Sequence, residues 1–276
     1  MSRIVIETCM VEKIPVLTMS QEGIKQKPIL FYIPGYGGRK ESGIPFGYLA
    51  AQKDFLWISF DPLYHGERYH PILDRASEAE FGGLYPPETG LDMGRVFYQV
   101  IRHCLDDVTL LLDHFSKDAR ADQCACGVTG HSLGGYATYF LLANISSIRA
   151  GVAMNGIPTF TRRWTDVLDE CKFSNSTWQR SLEGNVVANL SLLQFIREMD
   201  PAEKLKSFFP KALLMMNNDF DADQPKSYSI EMYRNLLPYY ALQPERLKLN
   251  IYPGGHSVSN QMMIDTLDWF GSFLTG

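Results

Sequence analysis

The sequence lacks the long hydrophobic run that a membrane-spanning helix needs. No stretch approaches the roughly 20 consecutive apolar residues that cross a bilayer, and residues 1–7 do not have the charged-then-apolar pattern of a secretion signal. A long basic run is also missing, and the formal net charge is -5, so the chain lacks the electrostatic footprint of a nucleic-acid-binding protein. We therefore expect neither membranes nor nucleic acids among its partners.

Cysteine is sparse, and its distribution excludes a disulfide scaffold. The five cysteines are odd in number and scattered along the chain, at Cys9, Cys104, Cys124, Cys126 and Cys171. Cys124 and Cys126 have no second Cys or His pair that would complete a zinc site, and the histidines lack the spacing of a metallohydrolase. These features are typical of reduced thiols in a cytoplasmic protein, and they predict no metal or other cofactor.

Repeats and low-complexity segments are absent as well, and the composition is that of an ordinary globular protein. With 45% hydrophobic and 21% charged residues, residues 1–276 are expected to form one large domain. Strand-like and helix-like segments alternate, which predicts an α/β fold with a mostly parallel central sheet flanked by helices. The predicted strands are Ile14–Thr18, Pro28–Ile33, Phe55–Phe60, Ala125–Thr129, Gly151–Met154, Lys211–Asn217 and Leu247–Tyr252. The predicted helices are Ile44–Gln52, Met93–Phe115, Leu133–Ala143, Ser227–Leu236 and Ser257–Phe273.

Two stretches interrupt this alternation. Residues 69–91 are rich in Gly, Pro and Glu and are predicted to form a long loop, and residues 158–199 are helix-like with many aromatic side chains. We predict that 158–199 is a small helical cap insertion, because it leaves the carboxyl end of a strand, where ligands bind in open α/β sheets. The alternative is that 158–199 is a surface segment without a functional role. Trp164 and Trp178 are candidate substrate contacts, and packing inside the insertion is the competing interpretation.

The strongest motif is the segment from Gly130 to Gly135, which reads Gly-His-Ser-Leu-Gly-Gly. It follows an apolar strand and opens a helix, which is the setting of the G-x-S-x-G nucleophile elbow of serine hydrolases. Ser132 is the candidate nucleophile. A serine hydroxyl reacts poorly at neutral pH, so a histidine must accept its proton and a carboxylate must orient that histidine.

His256 is the candidate base. In this architecture the base follows the nucleophile and the acid along the chain, and five of the six histidines precede or adjoin Ser132. His256 comes directly after a predicted strand, in a loop that two glycines open. His131 precedes the serine; we interpret it as a structural residue whose ring points away, although its position also makes it a candidate substrate contact.

The candidate acid lies in the segment after the strand Lys211–Asn217. Asp219, Asp221 and Asp223 compete there, and Asp221 is favoured because it stands a few residues past the strand end. Asp223 is alternatively the N-cap of the next helix, and Asp219 alternatively caps the turn.

An oxyanion hole requires two backbone N–H groups directed at the developing alkoxide. The first is expected from Leu133, the residue after the nucleophile. The second is expected from Tyr36 or Gly35, in the glycine-rich loop that follows the early strand Pro28–Ile33.

Together these motifs resemble the α/β-hydrolase superfamily, and within it the bacterial single-domain esterases akin to the catalytic domain of prolyl oligopeptidases. The resemblance extends over nearly the whole chain and includes the stretch 61–68, Asp-Pro-Leu-Tyr-His-Gly-Glu-Arg. It implies Ser132, Asp221 and His256 as nucleophile, acid and base, and a structural role for His65. Two positions depart from the family pattern. Pro34 replaces a histidine in the oxyanion loop, and Asn217-Asn218 replace a glycine, where asparagine is expected to supply a left-handed turn.

The resulting hypothesis is a cofactor-free serine hydrolase that cleaves small to medium carboxylic esters through an acyl-enzyme. Thioesters, lactones and small peptides use the same groups and remain alternatives. A non-catalytic binding protein that kept the fold is a second alternative. The expected partner is a small-molecule ester, and both a monomer and a homodimer remain open.

Overall fold

The central element is an eight-stranded sheet. The computed structural model describes residues 3–23, 26–73, 89–174 and 186–275. The strands are β1 (Ile4–Val11), β2 (Ile14–Gln21), β3 (Lys27–Ile33), β4 (Leu56–Phe60), β5 (Ala121–His131), β6 (Ala150–Met154), β7 (Ala212–Asn218) and β8 (Leu247–Tyr252). Their spatial order is β1-β2-β4-β3-β5-β6-β7-β8. The β1–β2 and β2–β4 pairs are antiparallel, and every other pair is parallel.

Helices cover both faces of this sheet. They are α1 (Ile44–Gln52), α2 (Thr89–Phe115), α3 (Leu133–Asn144), α4 (Phe160–Ser174), α5 (Val186–Met199), α6 (Ser227–Leu236) and α7 (Asn260–Leu274). Successive strand residues point to opposite faces, so Leu213 and Met215 pack in one apolar cluster while Leu214 and Met216 pack in the other. The first cluster includes α2 to α6, and the second includes α1 and α7.

The predicted α/β architecture is therefore confirmed. All seven predicted strands are present, and the helices Ile44–Gln52 and Ser227–Leu236 have the predicted bounds. The last helix begins at Asn260 rather than at residue 257, because Ser259 is its N-cap and accepts the N–H of Met262 at 3.2 Å. Strand β1 was not predicted; it lies at the sheet edge, and its apolar Ile6 and Met10 are exposed.

The two stretches that interrupt the alternation are partly described. Most of the predicted loop 69–91 falls on residues 74–88, outside the described residues, and α2 begins at Thr89. Within 158–199 the structure has two helices, α4 and α5, and α5 packs against both α4 and α2. Among the described residues, no helix combines the length and the apolar character needed to cross a membrane.

Candidate active site

Ser132 occupies a strained turn between β5 and α3. Its φ is 57° and its ψ is -118°, a conformation that costs a non-glycine residue about 1–3 kcal/mol. The surrounding backbone holds it in place, because the Ser132 N–H donates to the Met154 carbonyl at 2.9 Å and the Ser132 carbonyl accepts the Tyr136 N–H at 3.0 Å. The turn presents the hydroxyl at the carboxyl end of the sheet.

The glycine at position 134 permits this turn. A Cβ atom there would lie 1.9 Å from the carbonyl oxygen of Ile33, far inside van der Waals contact. A Cβ on Gly130 would likewise lie 2.6 Å from the Gly134 backbone. The start of α3 therefore rests directly on the end of β3, and only glycine fits at the point of contact.

Ser132, His256 and Asp221 lie in one hydrogen-bonded row. The Nε2 atom of His256 is 2.9 Å from the Ser132 Oγ, and its Nδ1 atom is 2.7 Å from the Asp221 Oδ2. The Asp221 side chain is completely buried, while 26% of the His256 side chain is exposed. The structure therefore brings together the three residues that the sequence singled out, although they are up to 124 positions apart in the chain.

The three competing aspartates have different surroundings. Besides contacting His256, Asp221 uses its Oδ1 to accept the N–H groups of Asp223 at 3.1 Å and Gln224 at 2.9 Å. Asp219 forms an ion pair with Lys226 instead, and Asp223 is exposed. The alternative that Asp223 is an N-cap is wrong, because α6 begins at Ser227 and residue 226 precedes it.

Asn217 and Asn218 do not form the expected left-handed turn. Both belong to β7, which continues through Asn218, and neither has a positive φ. Asn218 instead donates its side-chain amide to the carbonyls of Gly255 and of Ser257, the latter at 2.7 Å. A strand residue thus holds the loop that carries His256.

Asn155 provides a second support for this loop, which the sequence analysis missed. Its amide donates to the Ser257 carbonyl at 2.9 Å, and its Oδ1 accepts the N–H of Asn218 at 3.0 Å. The residue is fully buried and has a φ of 48°, which asparagine tolerates better than most residues. Its position directly after the predicted strand Gly151–Met154 was the available signal, since such positions meet at one edge of a parallel sheet.

From the sequence, the ring of His131 was expected to point away from the site. The structure shows the opposite. The ring packs beside the ring of His256, with centroids 4.8 Å apart and planes inclined by 37°. Burial, and secondarily the charge of His256, lower the pKa of His131 to about 4. A neutral imidazole therefore faces the candidate base at neutral pH.

The glycine-rich loop after β3 lies against the serine. A Cβ on Gly35 would be 3.5 Å from the Ser132 Cβ, so the main chain at this point approaches the elbow closely. The Tyr36 ring stacks on Phe97, and its hydroxyl donates to the Leu73 carbonyl at 3.2 Å. Leu133 is the first residue of α3, and the first N–H groups of a helix have no acceptor within it.

The loop after β4 is held together by the buried Asp61. Its carboxylate accepts the N–H groups of Lys40 at 2.7 Å and Glu67 at 2.9 Å and pairs with the Lys40 ammonium at 3.2 Å. His65 is buried in the same loop, where its Nδ1 contacts the Leu63 carbonyl at 2.7 Å, and burial lowers its pKa. These contacts fit the structural role that the resemblance implies for His65.

The candidate substrate contacts on the insertion are only partly described. Trp164 is 4% exposed, and its ring occupies the space that a Cβ on Gly94 would need. This placement favours the packing interpretation for Trp164. Trp178 lies outside the described residues. Arg162, also on α4, is exposed and pairs with Glu231.

Asp221, Asp223 and His256 also form a group whose potential metal-ligating atoms lie within 4.8 Å of one another. Both ring nitrogens of His256 already contact Asp221 and Ser132. A cation at this position would have to displace one of those contacts, so the arrangement suits proton transfer between Ser132 and His256 better than ligation.

The strand order, the strained serine turn and the hydrogen-bonded row define an α/β-hydrolase. Residues 89–274 match the prolyl oligopeptidase family. The chain belongs to that family, and the resemblance drawn from its motifs is confirmed.

Individual relatives extend the similarity over the whole chain. The Bacillus subtilis (strain 168) protein named "Putative esterase YitV" is 25% identical over 273 residues, which cover 98% of this chain and 99% of that one. Among solved structures, TT1662 from Thermus thermophilus is similar with a TM-score of 0.73 and 21% identity, covering 99% of both chains. Acetyl xylan esterase 1 from Thermoanaerobacterium is similar with a TM-score of 0.64 and 15% identity, covering 98% of this chain and 87% of the other.

Proposed function

We propose that this hydrolase is a serine carboxylesterase that acts on small to medium esters without a cofactor. The observation that carries the proposal is the row from Ser132 Oγ through His256 to Asp221, with contacts of 2.9 and 2.7 Å. A serine hydroxyl within hydrogen-bond distance of an imidazole, itself oriented by a buried carboxylate, is the arrangement that activates serine as a nucleophile.

The first half of the reaction transfers the acyl group to Ser132. Asp221 holds the proton on the Nδ1 of His256, which leaves Nε2 free to accept the hydroxyl proton of Ser132. The Oγ then forms a bond to the ester carbonyl carbon, and the carbonyl oxygen becomes an alkoxide. The alkoxide then re-forms the carbonyl as the bond to the alcohol oxygen breaks. The His256 imidazolium gives its proton to that oxygen, and the alcohol leaves the acyl-enzyme.

The second half releases the acid. A water molecule gives a proton to His256 Nε2 as its oxygen attacks the acyl carbon, and the bond to Ser132 then breaks with return of that proton to Oγ. In both halves the alkoxide is stabilised by the Leu133 N–H and by an N–H of the loop at Gly35 and Tyr36. The close approach of Gly35 to Ser132 supports this assignment.

Cleavage of small peptides is a second candidate, because the matched family is named for an oligopeptidase. The same residues would serve, with an amine as the leaving group. We favour esters because one relative that is similar over nearly the full length of both chains, the Bacillus subtilis protein, is named an esterase. The helices of 158–199 are proposed to cap the site and to set the size of the acyl group.

Parallel assays of the wild type and Ser132→Ala on p-nitrophenyl esters of increasing chain length test this proposal. We expect a preference for short or medium chains and a loss of several orders of magnitude in kcat/KM in the variant. Aminoacyl p-nitroanilides supply the peptidase comparison. Covalent labelling by a fluorophosphonate identifies an active serine independently of the substrate. Absence of both turnover and labelling in the wild type would instead favour a non-catalytic binding protein.

A further inference from the structure

Three basic residues meet at the edge of the sheet opposite Ser132. Arg149 directly precedes β6, Lys211 precedes β7 and Arg246 precedes β8. These strands are consecutive and parallel, so their amino ends lie side by side, and the Arg149 carbonyl accepts the N–H of Ala212 at 2.9 Å. The candidate active site is at the carboxyl ends of the same strands, so this cluster is separate from it.

A cavity of about 660 Å³ opens between these three side chains. This volume lies within the range of small-molecule sites, roughly 300–1,000 Å³. The half-buried Phe209 gives it an apolar wall. Its described lining includes no aspartate or glutamate, although the chain as a whole has a formal net charge of -5.

The described hydrogen bonds of the three cations go to carbonyl oxygens. Arg149 donates to Cys124 at 3.0 Å, Arg246 donates to Pro210 at 3.2 Å, and Lys211 donates to the last turn of α3. Within the described part of the chain, none of the three forms an ion pair with a carboxylate.

Arg120 differs from these three residues because it has acidic partners. It directly precedes β5 at the same edge of the sheet, and it pairs with Asp118 at 2.8 Å and with Glu7 at 2.7 Å. A basic residue at this edge is thus neutralised where the chain supplies an acid. By contrast, the three basic residues that line the cavity have no acidic partner among the described residues.

The basic side chains at the cavity have more N–H donors than their described hydrogen bonds use. A guanidinium has five N–H groups, and Arg149 and Arg246 each donate one described hydrogen bond, to a carbonyl. The Arg246 guanidinium also lies over the Phe273 ring, 5.3 Å from its centroid. Burial lowers the pKa of Lys211 to about 8, because its ammonium is partly desolvated without a counter-charge. An anion between these groups would supply the acceptors and the charge that they lack.

We propose that this cavity binds the phosphate group of a small organic molecule. A phosphate carries up to two negative charges and three acceptor oxygens, which match two guanidinium groups and an ammonium better than a single carboxylate does. The volume exceeds that of the phosphate alone, and the half-buried side chain of Phe209 provides a surface for the organic part. Binding here would not compete with the ester at Ser132.

Calorimetric titration of the intact protein with phenyl phosphate tests this proposal. Inorganic phosphate serves as a second ligand, and sodium chloride keeps the ionic strength constant. We expect saturable binding of both ligands, with phenyl phosphate binding at least about tenfold more tightly. Arg149→Gln and Lys211→Gln are each expected to weaken binding at least about tenfold. Arg149 is exposed, so its variant remains informative if replacement of Lys211 impairs folding.

Arg120→Gln is the matched control, since it removes the same charge at the same edge outside the cavity; it should bind phosphate within about twofold of the wild type. Ser132→Ala should also bind normally, which separates this site from anion binding in the oxyanion region. Absence of saturable binding overturns the proposal, and so does equal weakening in Arg120→Gln and Arg149→Gln. Phenyl phosphate that binds no more tightly than inorganic phosphate contradicts the assignment to an organic ligand.

Discussion

The imidazole rings of His131 and His256 pack against each other, 4.8 Å apart between centroids. In the proposed acyl transfer His256 becomes positively charged, and a second charge on its neighbour would oppose that step. Burial prevents this by lowering the pKa of His131 to about 4. His131 therefore contributes a polarisable, neutral surface beside the candidate base rather than a second proton acceptor.

His131→Phe should make stability less sensitive to acid. The folded-state pKa of about 4 lies below the ordinary value of 6.5, so the unfolded state binds a proton more readily, and wild-type stability falls as the pH drops below about 6.5. At pH 5 this effect costs about 2 kcal/mol, and phenylalanine removes it. Urea unfolding at pH 7 and pH 5 measures the difference.

The control for this experiment is His114→Phe, at an exposed position. It should leave the pH dependence as in the wild type. If His131→Phe loses as much stability as the wild type between pH 7 and pH 5, the ring of His131 is not held neutral by burial.

Replacement of the three aspartates should separate their roles. Asp221→Asn keeps the shape but no longer holds a proton on His256 Nδ1, so we expect kcat to fall by about 10³–10⁴-fold. Asp219→Asn and Asp223→Asn should each remain within a few-fold of the wild type, because the His256 Nδ1 hydrogen bond goes to Asp221 and Asp219 pairs with Lys226. The Asp223 carboxylate lies within 4.8 Å of the site but is exposed. Steady-state kinetics on a p-nitrophenyl ester provides the measurement. Comparable losses in all three variants would contradict the assignment of Asp221.

Asn218→Ala should act through the His256 loop. It removes the amide that donates to the carbonyls of Gly255 and Ser257, and the loss of these two hydrogen bonds costs about 1–3 kcal/mol. The Ser257 N–H and the Asn155 amide still donate to the same two carbonyls. Misplacement of His256 by even 1 Å would lower kcat by about 10²-fold, with little change in KM. Thermal unfolding and steady-state kinetics together test this expectation. A variant with lower stability and unchanged kcat would show that Asn218 supports the fold alone.

Trp164→Ala tests whether this side chain packs or contacts substrate. Its burial against α2 predicts a loss of about 3–5 kcal/mol in the free energy of unfolding, with KM of the folded protein unchanged. Phe195→Ala, at a half-buried position on α5, should cost less. An increase in KM without a loss of stability would restore Trp164 as a substrate contact. Chemical denaturation and ester kinetics distinguish the two outcomes.

Much of this architecture was predictable because buried parallel strands have continuous apolar sequences. Phe55–Phe60 and Lys211–Asn217 are examples, and their positions then located the serine turn and the acid segment. Edge strand β1 escaped prediction because it has little burial to impose a pattern, with Ile6 and Met10 exposed. Local sequence thus predicts strands best where packing constrains both faces.

The candidate site was also predictable only in part. Ser132 and His256 were identifiable as candidates because a serine hydrolase requires particular residue types in a particular chain order, and the structure places them within hydrogen-bond distance. The roles of Asn155 and Asn218 were not, because they arise from contacts between neighbouring strand ends and a distant loop. The orientation of His131 also depends on the tertiary position of His256. A turn propensity, such as that of asparagine for left-handed backbone, is overridden when the strand continues through the residue.

The position of β3 between β4 and β5 has a consequence for how the chain is made. Residues 29–33 pair with residues 126–130 of β5, so an early strand must wait for one synthesised much later before the middle of the sheet can close. At about 5–20 residues per second, the ribosome takes several seconds to supply that partner. Until then the edge of β3 that faces β5 has unpaired N–H and C=O groups, which can pair with another strand, and the interval ends when the strand that leads into Ser132 emerges.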